Sequence, residues 1–401
     1  MVVKFGGAVL RSPHDFTRLY EAVLDCLNTA QSTSQQQKRQ RLLLVISAFG
    51  TTTRDLERAA RSSADGSTAD TNVIVDHLAQ EHLEFVRVLL GNTEAGAALE
   101  LLIAETTSEL KTILDGIAVT KQLTKRTLDR VLAYGEVLAL HIARHLLSNN
   151  GVNADWADAR TIMVTNDEFG TAKPIESQTQ VNVANKLVAK LDSHDCVLMQ
   201  GFVGATADGV VTTMGRESST LTATFLAALL QATEVRIYTD VSGVCTADPK
   251  LFADTRIHPQ LSFEQAAIAA HHGLKLLYST TIEPAQKAGI PVRIINASAR
   301  DRGTVIGRLG ARYAPIVIVP EQPRNIDFPD NTPALESIVI VLANQAEVIR
   351  CLGALASEFS DSALWHVNVN PSEQAVTLRL PSNTAMAIAE KIHSYLTSTL
   401  P

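Results

Sequence analysis

Lys4 stands just before a Gly-Gly pair in "KFGG" (4–7), directly after a short β-rich run. Two glycines let a backbone come close to an anion, and their N–H groups can form an anion-binding nest. A lysine beside them can neutralise a transferred phosphoryl group. No GxxxxGK[ST] pattern is present, so this is not a standard P-loop; the plainer reading is a Gly-Gly turn with a surface lysine. "SAFGTTTRDL" (47–56) repeats the theme, with Gly50 and then three threonines, Thr53 among them, opening a helical segment. Free N–H groups at such a helix start suit a carboxylate or a phosphate, and ordinary capping by Thr52 or Thr53 is the competing account.

In "RVLAYGEVLAL" (130–140), Glu136 is a carboxylate inside an apolar helical pattern. Gly135 beside it weakens a helix unless something packs close. A near-buried carboxylate needs a partner, either a salt bridge in the core or a substrate ammonium. "TTMGRESSTLTA" (212–223) opens like an anion-gripping turn. Arg216 offers a planar fork that matches a carboxylate in two bonds, and Ser219 falls near the start of the next helix. Glu217 places a negative charge where an anion binder least wants one. "YTDVSGVCTADPK" (238–250) puts Thr239 and Asp240 at a strand end and Asp248-Pro249 at a turn. Tyr238 and Lys250 there suit a nucleotide base and phosphate, or the segment is a plain loop. Lys275, in "GLKLL", is a single charge in an apolar run, and such a lysine either snorkels or serves a site.

These residues need a frame. Residues 13–30 carry Phe16, Leu19, Tyr20, Val23, Leu24 and Leu27 at helical spacing. "RLLLVISAFG" (41–50) and "CVLMQGFVG" (196–204) are continuous apolar runs that fit strands buried on both faces of a parallel sheet. Segments 53–64, 75–91, 94–114, 124–148 and 220–232 read as helices. A strand is expected at 234–240, a hairpin at Asp208-Gly209, and a helix at 281–288 before the strand "PVRIIN". Strands alternating with helices imply an α/β fold with a largely parallel sheet between helices. "STSQQQKRQR" (32–41) reads as a loop. From about 309, prolines at 315, 320, 323, 329 and 333 suit an extended connector. Beyond it, strand 336–342, helix 344–357, strands 363–369 and 374–380 and helix 382–397 form a βαββα unit.

Composition narrows the function classes. The chain has 401 residues, 46% hydrophobic, enough for one large and one small core. Its net charge of -7 gives no basic footprint for nucleic acid. The apolar runs are strand-length, well short of a membrane helix, and "MVVKFGG" shows no secretory signal. The four cysteines, Cys26, Cys196, Cys245 and Cys351, lie far apart without CxxC spacing, which argues for core packing rather than zinc or a disulfide framework. A reduced, cytoplasmic setting is expected.

In this order the segments resemble the aspartokinases of the amino-acid kinase family over nearly the whole chain. "KFGGAVL" looks like the family's KFGGTSV, "SAFGTTTRDL" like SAxGxTTNxL, and "AYGE" shares the GE end of [SH]xGE. "DARTIMVTNDEFGTAKP" resembles the DAR…TxxxFxxA segment. "QGFVGATADGVVTTMGRESSTLTA" is similar to QGFxGxxxxGxxTTLGRGGSDxTA, and "YTDVSGVCTADPK" to YTDVxGxxTxDPR. "LKLLYSTTIEPAQKAGIPVRI" looks like AKVLHPxTxxPAxxxxIPVxV.

The resemblance implies a three-layer αβα sandwich over 1–308, a Pro-rich linker over 309–334 and an ACT-like regulatory domain over 335–401. It implies ATP-dependent phosphorylation of the L-aspartate β-carboxylate to 4-phospho-L-aspartate, with Mg²⁺, as the first step towards lysine, threonine and methionine. Lys4, Gly6 and Gly7 would hold phosphates. Thr53, Glu136, Arg216 and Ser219 would hold aspartate, with Glu136 on its ammonium. Thr239, Asp240, Asp248 and Lys250 would line the nucleotide, and Lys275 would reach a phosphate. Lys4, Arg216 and Lys275 would be catalytic. A homodimer and an amino-acid effector at the C-terminal domain are further implications, although one βαββα module stands here where the family usually carries two. The family's GRGGSD reads Gly215-Arg216-Glu217-Ser218-Ser219-Thr220, so both turn glycines and the acidic residue are replaced. A non-catalytic homologue that binds ligands or regulates is the alternative, and a kinase for another small acidic substrate is a third reading.

Overall fold

The computed structural model describes residues 1–31, 41–274, 279–299, 303–308, 315–320, 335–342, 344–358, 366–370 and 374–399. The loop expected at 32–41, apart from Arg41, and Lys275 lie outside the described residues. The chain divides into two compact units, Met1–Asp240 with Ala297–Ala299, and Val241–Asn296 with Arg300–Pro401.

In the first unit the elements run β1 (Val2–Phe5), α1 (Pro13–Gln31), β2 (Leu42–Ile46), α2 (Thr52–Ala64), α3 (Thr68–Leu90), α4 (Glu94–Thr120), α5 (Lys125–Asn149) and β3 (Ala154–Ala157). They continue through α6 (Ala159–Ile162), α7 (Glu176–Asn182), α8 (Val188–Ser193), β4 (Cys196–Gln200), β5 (Val203–Ala205), β6 (Val211–Thr213), α9 (Ser218–Leu229) and β7 (Val235–Thr239). The strands lie in the order β3-β4-β2-β1-β7, every pair parallel. β2 and β4 are buried at every position, which requires cover on both faces and explains their unbroken apolar sequences. α5 packs on β2, β3 and β4, and α9 on β1, β2 and β7. α3 starts at Thr68, earlier than expected, because Thr71, Ile74, Val75 and Leu78 already keep a buried helical face. The Asp208-Gly209 hairpin forms as expected. β5 and β6 pair antiparallel, and Gly209 takes φ +78°.

The second unit holds β8 (Gln260–Ser262), α10 (Phe263–His271), α11 (Ser279–Ala288), β9 (Val292–Asn296) and β10 (Thr304–Gly307). β10 runs antiparallel to β9 and parallel to β8. β11 (Ile316–Ile318), β12 (Leu335–Val341), α12 (Gln345–Glu358), β13 (His366–Asn370), β14 (Ala375–Pro381) and α13 (Ser382–Thr399) follow. Their sheet is antiparallel, in the order β11-β12-β14-β13, with α12 on β14 and α13 on β12 and β14. The βαββα pattern is the one expected. β11 is an addition, because it falls inside the stretch read as an extended connector. Three β-branched residues between Pro315 and Pro320 pair with Val339–Val341, and as an edge strand β11 tolerates flanking prolines. Among the described residues, no helix is long and apolar enough to cross a membrane.

Candidate active site

Strand register brings the candidate loops together. Phe5 pairs with Ile46 on one side and Tyr238 on the other, and Ile46 pairs with Gln200. The next residues along each strand therefore share one edge of the sheet: Gly6, Ser47, Gly201 and Thr239. The carboxyl edge of a parallel sheet is where ligands bind in such folds.

The glycines at this edge answer to close approaches. A Cβ on Gly7 would come within 2.4 Å of the Ala48 carbonyl oxygen, and the Gly50 N–H donates to the Gly7 carbonyl at 3.3 Å. The β1 and β2 loops are thus in direct backbone contact. A Cβ on Gly6 would lie 2.8 Å from Lys4 Nζ, so the missing side chain is the space that the ammonium uses. Burial pushes the Lys4 pKa below its ordinary range, and the Glu217 carboxylate pulls it back up.

Glu136 enters from α5. A Cβ on Gly135 would meet Ala48 Cβ and Thr52 Cγ2, each at 2.9 Å, so α5 and the start of α2 touch there. That contact is what the glycine inside the helix serves. Glu136 is 3% exposed. Its Oε1 accepts the Ala48 N–H at 3.3 Å, and Oε2 has no partner among the described residues. Burial raises its pKa to about 8. An unpaired buried carboxyl oxygen is rare and costly, and an ammonium would satisfy it. Thr53 is half-buried in the first turn of α2. Neither Thr52 nor Thr53 caps that helix: Thr51 holds the cap position and its hydroxyl donates to Asp55 Oδ2 at 2.6 Å.

The altered turn follows β6. Gly215 has φ +86° and Glu217 φ +65°. A glutamate therefore occupies the left-handed conformation, which costs a non-glycine residue roughly 1–2 kcal/mol. Ser218 steadies the turn, its hydroxyl donating to the Gly215 carbonyl at 2.6 Å. Arg216 is exposed, whereas Ser219 and Thr220 are buried. Ser219 packs so tightly that a Cβ on Gly201 would lie 2.6 Å from its Oγ. The opening of α9 is thereby fixed to the end of β4.

Asp240 closes the β7 side, 3.6 Å from Arg11, with the Thr239 hydroxyl donating to its Oδ1 at 3.3 Å. Asp248 and Lys250 belong to the other unit, where both are exposed and the Lys250 N–H donates to Asp248 Oδ1 at 2.9 Å.

Sequence reasoning missed Asp129. It is 1% exposed on α5, two helical turns before Glu136 and on the same face. Oδ2 accepts the N–H groups of Gly170 and Thr213, each at 2.9 Å, and Oδ1 accepts the Thr213 hydroxyl at 2.7 Å. Burial raises its pKa while these bonds oppose the rise. Asp129 ties α5 to the strand that leads into Arg216. Two carboxylates seven apart on an apolar helix were the available signal.

The first unit therefore gathers a lysine, a buried acid with a free oxygen, an exposed arginine and two helix starts at one sheet edge. Such a set can hold a small ligand that carries both an ammonium and negative groups.

Comparison with known proteins identifies the family. A model of the amino acid kinase family matches residues 1–296. Aspartokinase 1, chloroplastic, of Arabidopsis thaliana is 32% identical over 311 residues, which are 76% of this chain and 51% of that protein. Lysine-sensitive aspartokinase 3 of Escherichia coli is 32% identical over 204 residues, 49% of this chain and 45% of that one. The chain spans about half the length of the curated relatives that it matches. Among solved structures, E. coli aspartokinase III in complex with lysine and aspartate has a TM-score of 0.79 at 20% identity, covering 99% of both chains. The Clostridium acetobutylicum aspartate kinase scores 0.73 at 16%, again over 99% of each. The fold is that of these kinases, and the chain belongs to the amino acid kinase family.

Proposed function

We propose that the protein is an aspartate kinase, transferring the terminal phosphoryl group of ATP to the β-carboxylate of L-aspartate to give 4-phospho-L-aspartate and ADP, the first step towards lysine, threonine and methionine. One observation carries the reading. The buried Glu136 has one oxygen held by the Ala48 N–H and the other free, and the carbonyl of the same Ala48 lies against Gly7. That is a receptor for an ammonium beside an anion site. The aspartokinase names of the relatives support the choice of substrate.

In this scheme Glu136 binds the substrate ammonium, and Arg216, with Ser219 and Thr53, holds a carboxylate. The β-carboxylate is already an anion and attacks phosphorus through its own oxygen, so the chain supplies no general base. Lys4, beside Gly6 and Gly7, neutralises charge on the transferring group, and Lys275 is assigned the same task. Glu217 opposes the lowering of the Lys4 pKa by burial, which gives the residue at the replaced glycine a use. Thr239, Asp240, Asp248 and Lys250 are assigned to the nucleotide. ATP when bound supplies the phosphoryl group, and Mg²⁺ spreads the phosphate charge. Among the described residues, no group of three or more acidic, His or Cys side chains forms a metal cage. Residues 1–308 are the proposed kinase region and 335–401 the ACT-like module, where we place an amino-acid effector. Pairing of its sheet edges would give a homodimer, which light scattering showing a monomer at micromolar concentration would exclude.

Purified protein with ATP, Mg²⁺, aspartate and hydroxylamine should yield aspartyl hydroxamate. Product no greater than that of a Lys4→Ala control would refute the kinase assignment.

A further inference from the structure

Thr246 sits at the base of a loop whose exposed turn carries Asp248, Pro249, Lys250 and Leu251. The base is closed by a Cys245–Ile257 bridge, by the Thr246 N–H donating to the Arg256 carbonyl at 2.9 Å, and by the Arg256 N–H donating to Thr246 Oγ1 at 3.1 Å. The turn is braced within itself, the N–H groups of Leu251 and Phe252 donating to the Asp248 carbonyl. On either side of the exposed residues, Ala247 and Phe252 are sunk in the core of the C-terminal α+β module, among Ile338, Ile340 and Leu396. The Val317 N–H, on β11, donates to the Thr246 carbonyl at 2.8 Å.

The remaining tie is a side-chain pair. Thr246 Oγ1 lies 2.9 Å from His393 Nε2, on α13, and the Phe252 ring stacks at a tilt 5.2 Å from the same imidazole. Thr246 and His393 are 2% and 3% exposed. Thr246 Oγ1, which also accepts the Arg256 N–H, is thus joined to the His393 imidazole, whichever of the two donates. Burial favours the neutral imidazole.

We propose that His393, acting through Thr246, is a positioning residue for the Asp248–Lys250 turn, so that the C-terminal module sets the shape of a nucleotide-contacting element. This rests on the assignment of Asp248 and Lys250 to the nucleotide. The turn has no core of its own, and its two apolar anchors and the Thr246 hydroxyl all belong to the module. Preorganising such a turn improves affinity by reducing what must be ordered on binding.

The test measures dissociation constants for ADP and for aspartate by calorimetry, and KM for ATP against kcat, on wild type, Lys250→Ala, His393→Ala, Thr246→Val and Thr246→Ser. Thr246→Val keeps the shape and removes the hydroxyl; Thr246→Ser restores it. Loss of one buried hydrogen bond should weaken ADP by about fivefold to tenfold in Thr246→Val and His393→Ala. Aspartate affinity should stay within about twofold, and Thr246→Ser should resemble wild type. Wild-type ADP affinity in Thr246→Val, alongside weakened binding in Lys250→Ala, would overturn the positioning role. Equal losses for both ligands without recovery in Thr246→Ser would overturn it too, since they mark a general defect of the fold. Unchanged ADP binding in Lys250→Ala would instead remove the nucleotide assignment of the turn, and the inference with it.

Discussion

Aspartate binding should be strongly pH-dependent, and Glu136 should be the cause. Its pKa in the unliganded protein is about 8 because the carboxyl is buried with one oxygen unpaired. At pH 7 roughly one molecule in ten carries the anion that an ammonium would pair with. Ionising the rest costs about 1.4 kcal/mol of binding free energy. The apparent dissociation constant should therefore fall about fiftyfold between pH 6 and pH 8, and close to one proton should leave per aspartate bound at pH 7. Calorimetry in two buffers of different ionisation enthalpy reads both quantities. Glu136→Gln keeps the shape and removes the charge. It should abolish the pH dependence and weaken binding about tenfold to a hundredfold at pH 7, as loss of one partner of a buried pair does, less the ionisation cost that wild type already bears. A wild-type dissociation constant flat from pH 6 to 8 would refute the reasoning, and so would a Gln variant that retains the slope.

Without ligand the same group acts on stability with the opposite benefit. The folded pKa, about 8, lies above the ordinary 4.5, so the folded state binds the proton more tightly. The stability that this gives is present below about pH 4.5 and is lost as pH rises towards 8. Glu136→Gln should therefore match wild type near pH 5 and unfold at higher denaturant at pH 8, by at most about 5 kcal/mol. Gly135→Ala, which stabilises most helices by about 1 kcal/mol, should here destabilise by about 1–3 kcal/mol because its Cβ has no room; urea titration checks the sign. Asp129→Asn should cost about 1–3 kcal/mol of stability by leaving one of its three donors unpaired. It should also raise KM for aspartate, measured in the hydroxamate assay, by loosening the approach to Arg216.

Much of the frame was legible along the chain. The apolar runs at 42–46 and 196–200 fitted strands covered on both faces, and the βαββα tail followed from its periodicity. The glycines at 6, 7 and 135 and the acid at 136 marked the candidate site, because each breaks a local rule that something distant must repay. What a linear reading could not supply was contact between segments far apart in sequence. Strand register, not motif order, puts Gly6, Ser47 and Gly201 at one edge. Only packing shows that Glu136 meets Ala48, that Glu217 takes the left-handed turn within reach of Lys4, and that Asp129 holds Thr213. The β11 strand hid between prolines because its pairing partners, Val339–Val341, lie more than twenty residues later. Local composition determines which residues want burial or a partner; the identity of that partner is settled by the fold, since hydrogen bonds and desolvation act across space rather than along the chain.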